Sequence, residues 1–220
     1  MIYHFKTLPS TNTYAMLNLE TLKDFDVILA DYQSAGRGRF NHQFEAENKK
    51  ALLMSLVIKR NIPLEKMLHL SSLTGLCVVL ALKKLNYNIQ LKYPNDLIYH
   101  EKKCGGILVE TKGNSAVIGI GINLHSHPKY YPSSHLEGLD VTVVLNQIVK
   151  MVEKKLSLLD DLDTLYKQIN LYSFLNGKKI KLNQGKIIQI LHVDGKGKIH
   201  YKEDTFHKEM YMHEFSMHEG

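Results

Sequence analysis

The stretch KKCGGILVETKGNSAVIGIGINL, residues 102–124, gives the clearest indication of the fold of this 220-residue chain. It holds two apolar runs rich in isoleucine and valine, at 106–111 and 116–124, which predict strands. Only a short polar segment with a glycine and an asparagine separates them, and such a segment favours a turn over a helix. Strands joined in this way pair antiparallel, whereas parallel neighbours need a long crossover. The stretch therefore indicates an antiparallel sheet.

The rest of the first 174 residues extends this sheet and adds helices to it. Further β-type runs between glycine, asparagine or charged turns predict strands at 27–30, 51–59, 89–92 and 97–99. Apolar residues that recur every three or four positions predict helices at 10–19, at 64–85 behind Pro63, at 141–158 and at 162–170. Together these elements predict an α+β fold, a mixed, largely antiparallel sheet with helices packed on one face.

The character of the sequence changes near Asn176. Short β-type runs at 179–182, 185–193, 198–202 and 210–215 are divided by glycines or polar residues. This spacing is typical of a small β-barrel of SH3 type. We therefore predict two domains, a larger one at 1–174 and a small C-terminal β-barrel at 175–220.

The composition is that of an ordinary globular domain. Hydrophobic residues make up 44% and charged residues 23% of the chain, which excludes disordered and fibrous proteins. No run approaches the roughly 20 apolar residues that a membrane-spanning helix needs, and the first residues lack the apolar run of a signal peptide. We predict a cytoplasmic protein without membrane contact, in which Cys77 and Cys104 are reduced thiols.

The chain is basic, with a net charge of +6 and a pI near 9.1. This charge suits a nucleic acid, an anionic substrate or an acidic protein partner, and charge alone does not choose among them. The 12 histidines are dispersed along the sequence. His213 and His218 near the end form no recognised ligand spacing, so we predict no metal site.

The strongest chemical motif is the segment QSAGRGR at 33–39, directly after a predicted strand. Gly36 and Gly38 make its backbone mobile, and the guanidinium groups of Arg37 and Arg39 fit phosphate or carboxylate oxygens. Such a loop could close over an anion and exclude water from a reactive intermediate. A basic hairpin tip is the alternative interpretation.

Two further motifs place polar groups at turns. In Lys92-Tyr93-Pro94-Asn95-Asp96, the proline fixes an extended entry and the last two residues offer polar side chains. Lys103 stands beside two glycines at the start of an apolar strand, where it could meet a carboxylate or phosphate that approaches the bare backbone. Taken singly, an ordinary turn and a solvated hairpin explain these two motifs better.

A last motif, Gly119-Ile120-Gly121-Ile122-Asn123, places two positions without side chains on one face of a strand. A flat ligand could lie against this face, and a close-packed sheet would explain it equally well. The motif lacks the third glycine and the following helix of a dinucleotide-binding fingerprint. The sequence has no Walker A loop either, so ATP would have to bind through another structural motif.

Together, in this order and spacing, these motifs resemble the biotin protein ligase family. They are similar to its Ser-Thr-Asn helix start, its Gly-Arg-Gly-Arg adenylate loop, its Lys-Trp-Pro-Asn-Asp segment, its Lys-x-x-Gly-Ile-Leu-x-Glu strand and its Gly-x-Gly-x-Asn strand. The resemblance implies a ligase that activates biotin with ATP and Mg²⁺ as biotinyl-5′-AMP and passes it to a lysine of a biotin carboxyl carrier domain of a carboxylase. Bifunctional members carry an N-terminal DNA-binding domain, and the motifs here begin almost at Met1, so we expect no DNA binding.

The resemblance also implies roles for individual residues. Biotin would be bound by Ser10, Thr11, Asn12, Gln33, Gly36, Arg37, Lys103, Gly106 and Gly119. ATP or the adenylate would be bound by Arg37, Arg39, Phe44, Asn95, Lys103 and Asn123. The catalytic residues would be Lys103, Arg37, Arg39 and Asp96. Among these, Lys103 would bridge the biotin carboxylate and the α-phosphate and offset the negative charge that develops there.

Two departures from the family pattern bear on how tightly the adenylate is held. Where the family usually has a glycine, an arginine and a nearby tryptophan, this chain has Asn41, His42 and Phe44. Tyr93 also stands where the family has tryptophan, in a chain without any tryptophan. An aromatic ring can still stack on adenine, but the missing arginine at His42 predicts weaker retention of the adenylate.

Other interpretations stay open on the sequence alone. A lipoate protein ligase shares the fold and the adenylate chemistry of the biotin enzymes. A non-catalytic protein could bind biotin or a nucleotide, and the basic C-terminal barrel could bind nucleic acid. The oligomeric state is open as well, since an exposed strand edge could pair two subunits into a homodimer.

Overall fold

A computed structural model describes residues 1–39, 43–126, 133–182 and 185–211. The larger of its two sheets contains β1 Ile2–Leu8, β2 Val27–Gln33, β3 Ala51–Ile58, β4 Gln90–Lys92, β5 Asp96–Tyr99, β6 Lys102–Lys112 and β7 Ser115–Asn123. The helices are α1 Thr11–Leu17, α2 Leu64–Met67, α3 Leu70–Lys83, α4 Val141–Lys155 and α5 Leu162–Leu171, and a 3-10 turn at Leu156–Asp160 follows α4.

The strands of the large sheet follow the order β1-β2-β3-β7-β6-β5-β4. β1 and β2 are parallel, and the other neighbouring strands are antiparallel. The central hairpin of β6 and β7 sets Gly106 opposite Gly121 and Leu108 opposite Gly119. The predicted mixed, largely antiparallel sheet is confirmed. The sequence did not predict β1, because it is an edge strand in which only Leu8 is buried.

Helices cover both faces of this sheet, which corrects the prediction of one covered face. On one face α3 and α4 pack over an apolar cluster that includes Leu56 of β3 and Ile118 of β7. On the other face α1 packs over a smaller cluster that includes Val57 and Val117. Alternate residues of one strand supply the two clusters. β3 is therefore buried on both sides, and its run ALLMSLVI is apolar apart from one serine.

The predicted helix at 64–85 is two helices, α2 and α3, which is a second correction. The break falls at Leu68 and His69, where the His69 amide donates to the carbonyl of Lys66 in a tighter turn (3.0 Å). The imidazole Nδ1 of His69 lies 2.8 Å from the hydroxyl of Tyr166 in α5. The break leaves the side chain of Leu68 78% exposed. Periodic spacing of leucines cannot report such an interruption, because both helices share one apolar repeat.

The second sheet contains β8 Lys179–Lys181, β9 Ile187–Val193, β10 Lys198–Glu203 and β11 Phe206–Tyr211, in the order β11-β10-β9-β8. All its neighbouring strands are antiparallel, as expected for an SH3-like unit. Within the described residues β8 and β11 remain its edges, so strand pairing does not close a barrel. The last strand that the structure describes begins at Phe206 rather than at 210, because its first residues are exposed and carry no apolar pattern. His213 and His218 lie outside the described residues.

Apolar side chains of the small sheet belong to the main core. Ile188, Ile190, Val193 and Ile199 are buried and continue the cluster formed by α3, α4 and α5. The division of the chain into domains at 174 and 175 stays a prediction. No helix in the described parts of the chain has the length and apolar character needed to cross a membrane.

Both cysteines are free thiols buried in the core. Burial raises the pKa of Cys77 and that of Cys104 to about 12. They are therefore protonated and unreactive at neutral pH.

Candidate functional site

A cavity of about 710 Å³ opens between the loop after β2, the start of α2 and the outer edge of β6. Its walls are formed by residues 35–39, by the segment from Leu64 to Ser71 and by residues 107–111, with Pro94 beside them. It exists because β5 pairs with β6 only as far as Gly106. Beyond that point, β6 pairs with β7 alone among the strands of the sheet, and its other edge faces the cavity.

The loop that carries the arginines is folded over this cavity. Its two arms meet in an antiparallel bridge between Arg37 and Gln43, and the amide of Phe44 donates to the carbonyl of Gly36 (3.0 Å). A Cβ at Gly36 would collide with the carbonyl oxygen of Phe44, so this closure needs a glycine. The tip of the loop, with Asn41 and His42, lies outside the described residues.

The ring of Phe44 covers the strand face that the glycines leave bare. A Cβ at Gly121 would lie 2.7 Å from this ring. The ring therefore packs on β7 at Gly121. The adenylate contact predicted for Phe44 stays a prediction.

Three cationic side chains predicted as catalytic are each held by a partner on the large sheet. Arg37 Nη2 donates to Glu110 Oε2 (2.7 Å), and its side chain remains 46% exposed. Arg39 Nη1 donates to Asn95 Oδ1 (2.8 Å). Lys103 Nζ forms an ion pair with Asp96 Oδ1 (2.7 Å), and its side chain is 50% exposed. Partly exposed pairs of this kind are weak enough for an anionic ligand to replace them.

Lys103 and the arginine loop belong to one connected group. Asn95 accepts from Arg39 with its amide oxygen, and its Nδ2 reaches Asp96 Oδ1 (3.3 Å) and the carbonyl of Ile107 (3.3 Å). Asp96 in turn holds Lys103. Arg37 and Arg39 line the cavity. Lys103 does not line it, but Asp96 and Asn95 connect Lys103 to Arg39. The structure therefore brings these predicted residues together.

A buried polar network closes the other side of the cavity wall. Ser10 caps α1 by accepting from the amide of Thr13 (3.3 Å), and the amide of Thr11 donates to Gln33 Oε1 (2.7 Å). Asn12 Nδ2 donates to Glu110 Oε2 (2.8 Å) and to the carbonyl of Leu108 (3.3 Å). The network connects the predicted biotin residues at the start of α1 to the strand that lines the cavity.

Ser55 is the centre of this network, and the sequence predicted no role for it. Its hydroxyl lies 2.7 Å from Thr11 Oγ1 and 2.6 Å from Asn12 Oδ1, and its one proton can go to only one of them at a time. Ser55 is fully buried. A single polar residue within the apolar run of β3 was the available signal, since a buried hydroxyl needs partners.

Glu110 is a further residue for which the sequence predicted no role. One oxygen of its carboxylate accepts from both Asn12 and Arg37. It lies on the same strand face as Gly106 and Leu108, at positions two residues apart. That spacing was visible in the sequence and could have identified it.

The glycines of the hairpin differ in the room around them. A Cβ at Gly119 would lie 2.5 Å from Asn12 Oδ1, so the amide of Asn12 fills this position. At Gly106 the nearest atom, Lys103 Cε, would be at 3.7 Å, an ordinary contact distance. Of the three glycines predicted to bind biotin, Gly36, Gly106 and Gly119, Gly106 is therefore the one at which a Cβ would cause no clash.

Asn123 lies at the end of β7 and is not among the residues that line the cavity. Its Nδ2 donates to the carbonyl of Ser134 (3.1 Å). Its Oδ1 is buried and accepts no hydrogen bond from the residues that the structure describes. The predicted nucleotide contact of Asn123 stays a prediction.

Within the described ranges, one group of side chains has the spacing of a metal site, and it lies on the small sheet. Asp194, His200 and Glu209 place their ligand atoms within 4.8 Å of one another. Glu209 is also paired with Lys198, and the group is away from the cavity walls. We assign it no role in the site.

The ion pair of Arg37 with Glu110 gives a first testable prediction. Glu110→Gln keeps an acceptor for Asn12 but removes the charge that holds Arg37. Because a partly exposed ion pair contributes about 0.2–1 kcal/mol, we expect trypsin to cut after Arg37 and Arg39 up to about fivefold faster. Timed digestion followed by mass spectrometry measures this. Glu101→Gln, which breaks the exposed pair with Lys178, is the matched control, and equal cleavage in both variants would contradict a holding role for Glu110.

Comparison with known proteins agrees with this geometry. The model of the "Biotin/lipoate A/B protein ligase family" matches residues 4–127. The chain is 31% identical over 153 residues to the bifunctional ligase/repressor BirA of Bacillus subtilis, an alignment that covers 67% of this chain and 46% of that protein. It is 28% identical over 141 residues to the biotin--[acetyl-CoA-carboxylase] ligase of Mycobacterium tuberculosis, covering 61% and 53%. The aligned segments span about half the length of these relatives.

The fold is also that of a solved structure. The biotin protein ligase from Aquifex aeolicus in complex with biotin and ATP superposes with a TM-score of 0.82 at 23% identity, covering 100% of this chain and 99% of that chain. At this identity the likeness shows the fold alone. The family match, which spans more than half of the chain, shows more: the chain belongs to the biotin/lipoate A/B protein ligase family.

Proposed function

We propose that the protein is a biotin protein ligase. It activates biotin with Mg-ATP as biotinyl-5′-AMP, releases pyrophosphate, and transfers the biotinyl group to a lysine of a biotin carboxyl carrier domain. The observation that supports this most is that Arg37 and Arg39 line a cavity in a ligase-family fold, with Lys103 connected to them through the adjacent turn. The site belongs to the larger predicted domain, residues 1–174.

The first half-reaction joins two anions, the carboxylate of biotin and the α-phosphate of ATP. Their repulsion has to be offset, and the three cations supply positive charge where the new bond forms. In our proposal Lys103 leaves Asp96 to bridge carboxylate and phosphate, while Arg37 and Arg39 leave Glu110 and Asn95 to cover the adenylate. Gly36 and Gly38 permit the loop to close and to exclude water from the mixed anhydride.

Magnesium enters this proposal as part of the substrate Mg-ATP. Glu110 on the cavity wall and Asp96 beside Lys103 are already paired, with Arg37 and Lys103 respectively. The triphosphate is the better source of oxygen ligands, since Mg²⁺ is often bound through substrate phosphates and water. Its positive charge reduces the repulsion between the reacting anions.

Biotin is favoured over lipoate by the polar network beside the cavity. The ureido ring of biotin has two N–H donors and one carbonyl acceptor. Gln33, Asn12 and Ser55 offer both donors and acceptors next to Leu108 and Glu110. The dithiolane ring of lipoate has neither an N–H group nor a carbonyl, so it cannot exchange such hydrogen bonds with these groups.

In the second half-reaction the amine of the acceptor lysine attacks the acyl carbon, and AMP leaves. Asp96 lies beside Lys103 and could orient the incoming amine once Lys103 is engaged by the adenylate. The positive net charge of the chain suits an acidic carrier domain. A basic protein would be drawn toward such a partner over distances of about 8 Å at physiological salt.

The test is incubation of the full chain with Mg-ATP, a carrier domain and either biotin or lipoate. We expect biotin-dependent pyrophosphate release and a carrier mass increased by one biotinyl group. Lipoyl transfer would instead identify the sister activity. Saturable binding of biotin without pyrophosphate release would identify a non-catalytic binding protein, and both of these results would reject the proposal.

A further inference from the structure

A buried tyrosine connects the candidate site to the small C-terminal sheet. Tyr93, the residue before Pro94, is 8% exposed. Its hydroxyl donates to the carbonyl of Gly197 in the turn between β9 and β10 (3.2 Å). A Cβ at Gly197 would lie 3.0 Å from this hydroxyl oxygen, so the turn and the tyrosine are in close contact. No part of the proposed reaction uses this contact directly.

Neighbouring aromatic and polar groups hold Tyr93 in place. Its ring packs edge-on against Tyr166 of α5, with centroids 6.0 Å apart, and the hydroxyl of Tyr166 lies 2.8 Å from His69 Nδ1. Burial raises the pKa of Tyr93 and that of Tyr166 and lowers the pKa of His69. These groups are therefore uncharged at neutral pH and interact through hydrogen bonds.

The turn that receives the hydrogen bond is itself fixed. Asn170 of α5 clamps Val193 of β9, donating to its carbonyl (2.7 Å) and accepting from its amide (2.9 Å). Asp194 Oδ1 accepts from the amides of Lys196 and Lys198, both at 2.9 Å. The small sheet thus presents a rigid carbonyl to Tyr93.

The residues that follow Tyr93 are those that hold two of the three cations. The carbonyl of Pro94 accepts from Ser72 of α3 (3.4 Å). Asn95 then holds Arg39, and Asp96 holds Lys103. A shift of Tyr93 would be carried along two peptide units to Asn95 and along three to Asp96, and a misplacement of about 1 Å can cost a reaction 100-fold in rate.

We propose that Tyr93 is a positioning residue: its hydrogen bond to Gly197 lets the small sheet fix Asn95 and Asp96 for formation of the acyl-adenylate. This inference rests on the proposed function, because the reaction supplies its readout. It gives the small sheet a part in the first half-reaction. It also gives the tyrosine at this position, where the family resemblance has tryptophan, a hydroxyl that an indole ring lacks.

The main test is Tyr93→Phe, which removes one oxygen atom and leaves the ring. We expect the kcat of biotin-dependent pyrophosphate release to fall about fivefold, the effect of one lost neutral hydrogen bond, with the KM for biotin unchanged within about twofold. Tyr87→Phe is the matched control, because that hydroxyl also donates to a backbone carbonyl, that of Glu137. An unchanged kcat in Tyr93→Phe, or an equal fall in Tyr87→Phe, would overturn the inference.

Gly197→Ala tests the same contact from the small sheet. The new methyl group would crowd the Tyr93 hydroxyl, and the positive φ of Gly197 (+76°) adds backbone strain. In a double-mutant cycle we expect Gly197→Ala to reduce kcat in the wild type and to reduce it less in the Tyr93→Phe background. Additive effects would overturn the inference. A wild-type chain that releases no pyrophosphate would reject the proposed function instead, so the two failures are distinguishable.

Discussion

Replacing Lys103 with methionine is expected to slow formation of the acyl-adenylate about 100- to 1,000-fold, the usual effect of removing one group that stabilises developing negative charge. Methionine keeps most of the length of the side chain and removes its charge and its N–H donors. Lys103 is half exposed, and within the described residues its ion pair is with Asp96, so we do not expect the fold to depend on it. The loss should appear in kcat for biotin-dependent pyrophosphate release.

Lys102→Met is the matched control, since Lys102 is the neighbouring exposed lysine on the same strand. We expect its kcat to stay within about twofold of the wild type, which is the usual result for a surface substitution. Biotin should still raise the Tm of Lys103→Met, because the predicted ureido contacts lie elsewhere. Equal rates in the two variants would remove Lys103 from the reaction, and a loss of biotin stabilisation would make it a binding residue instead.

The fold was largely predictable because its central strands carry strong local signals. The apolar runs of β3, β6 and β7, with polar turns between them, indicated an antiparallel sheet. These three strands lie within one residue of their predicted bounds, apart from the start of β6, which is four residues earlier. β1 was not predicted, because an edge strand buries few of its side chains and needs no apolar pattern. The side of the sheet on which α1 packs could not be read either, since β3 is apolar on both faces.

The candidate site was predictable to the level of its motifs but not of its contacts. Motif order identified the arginine loop, the Asn95-Asp96 turn and Lys103, and the fold connects the turn and Lys103 to the loop that lines the cavity. Which groups hold them in the free protein depends on partners far away in sequence. Glu110 meets Arg37 across 73 positions, and Tyr93 meets Gly197 across 104. No local pattern encodes pairs of that separation, because they arise only when the sheet forms.

Gly119→Ala is expected to destabilise the ligand-free protein by about 1–3 kcal/mol, as overpacking of a closed interior does. The added methyl group would lie 2.5 Å from Asn12 Oδ1. Asn12 cannot move away freely, because its amide is bonded to Glu110 and to the carbonyl of Leu108. At about 2–4 °C per kcal/mol for a chain of this size, the Tm should fall by several degrees.

Gly106→Ala separates this effect from a general cost of filling the glycine face. It lies on the same hairpin, and its methyl group would meet nothing closer than 3.7 Å, so we expect the Tm of the free protein to change little. Its effect should appear on adding biotin, since Gly106 is the predicted ring contact with open space. Gly119→Ala should weaken biotin binding too, by about 5- to 100-fold, because a displaced Asn12 leaves buried polar atoms of the network unpaired. Calorimetric titration of biotin and thermal unfolding of both variants measure the two effects. An unaltered Tm in Gly119→Ala would contradict the prediction. It would show that Asn12 is free to move and that the network beside the cavity is not rigid.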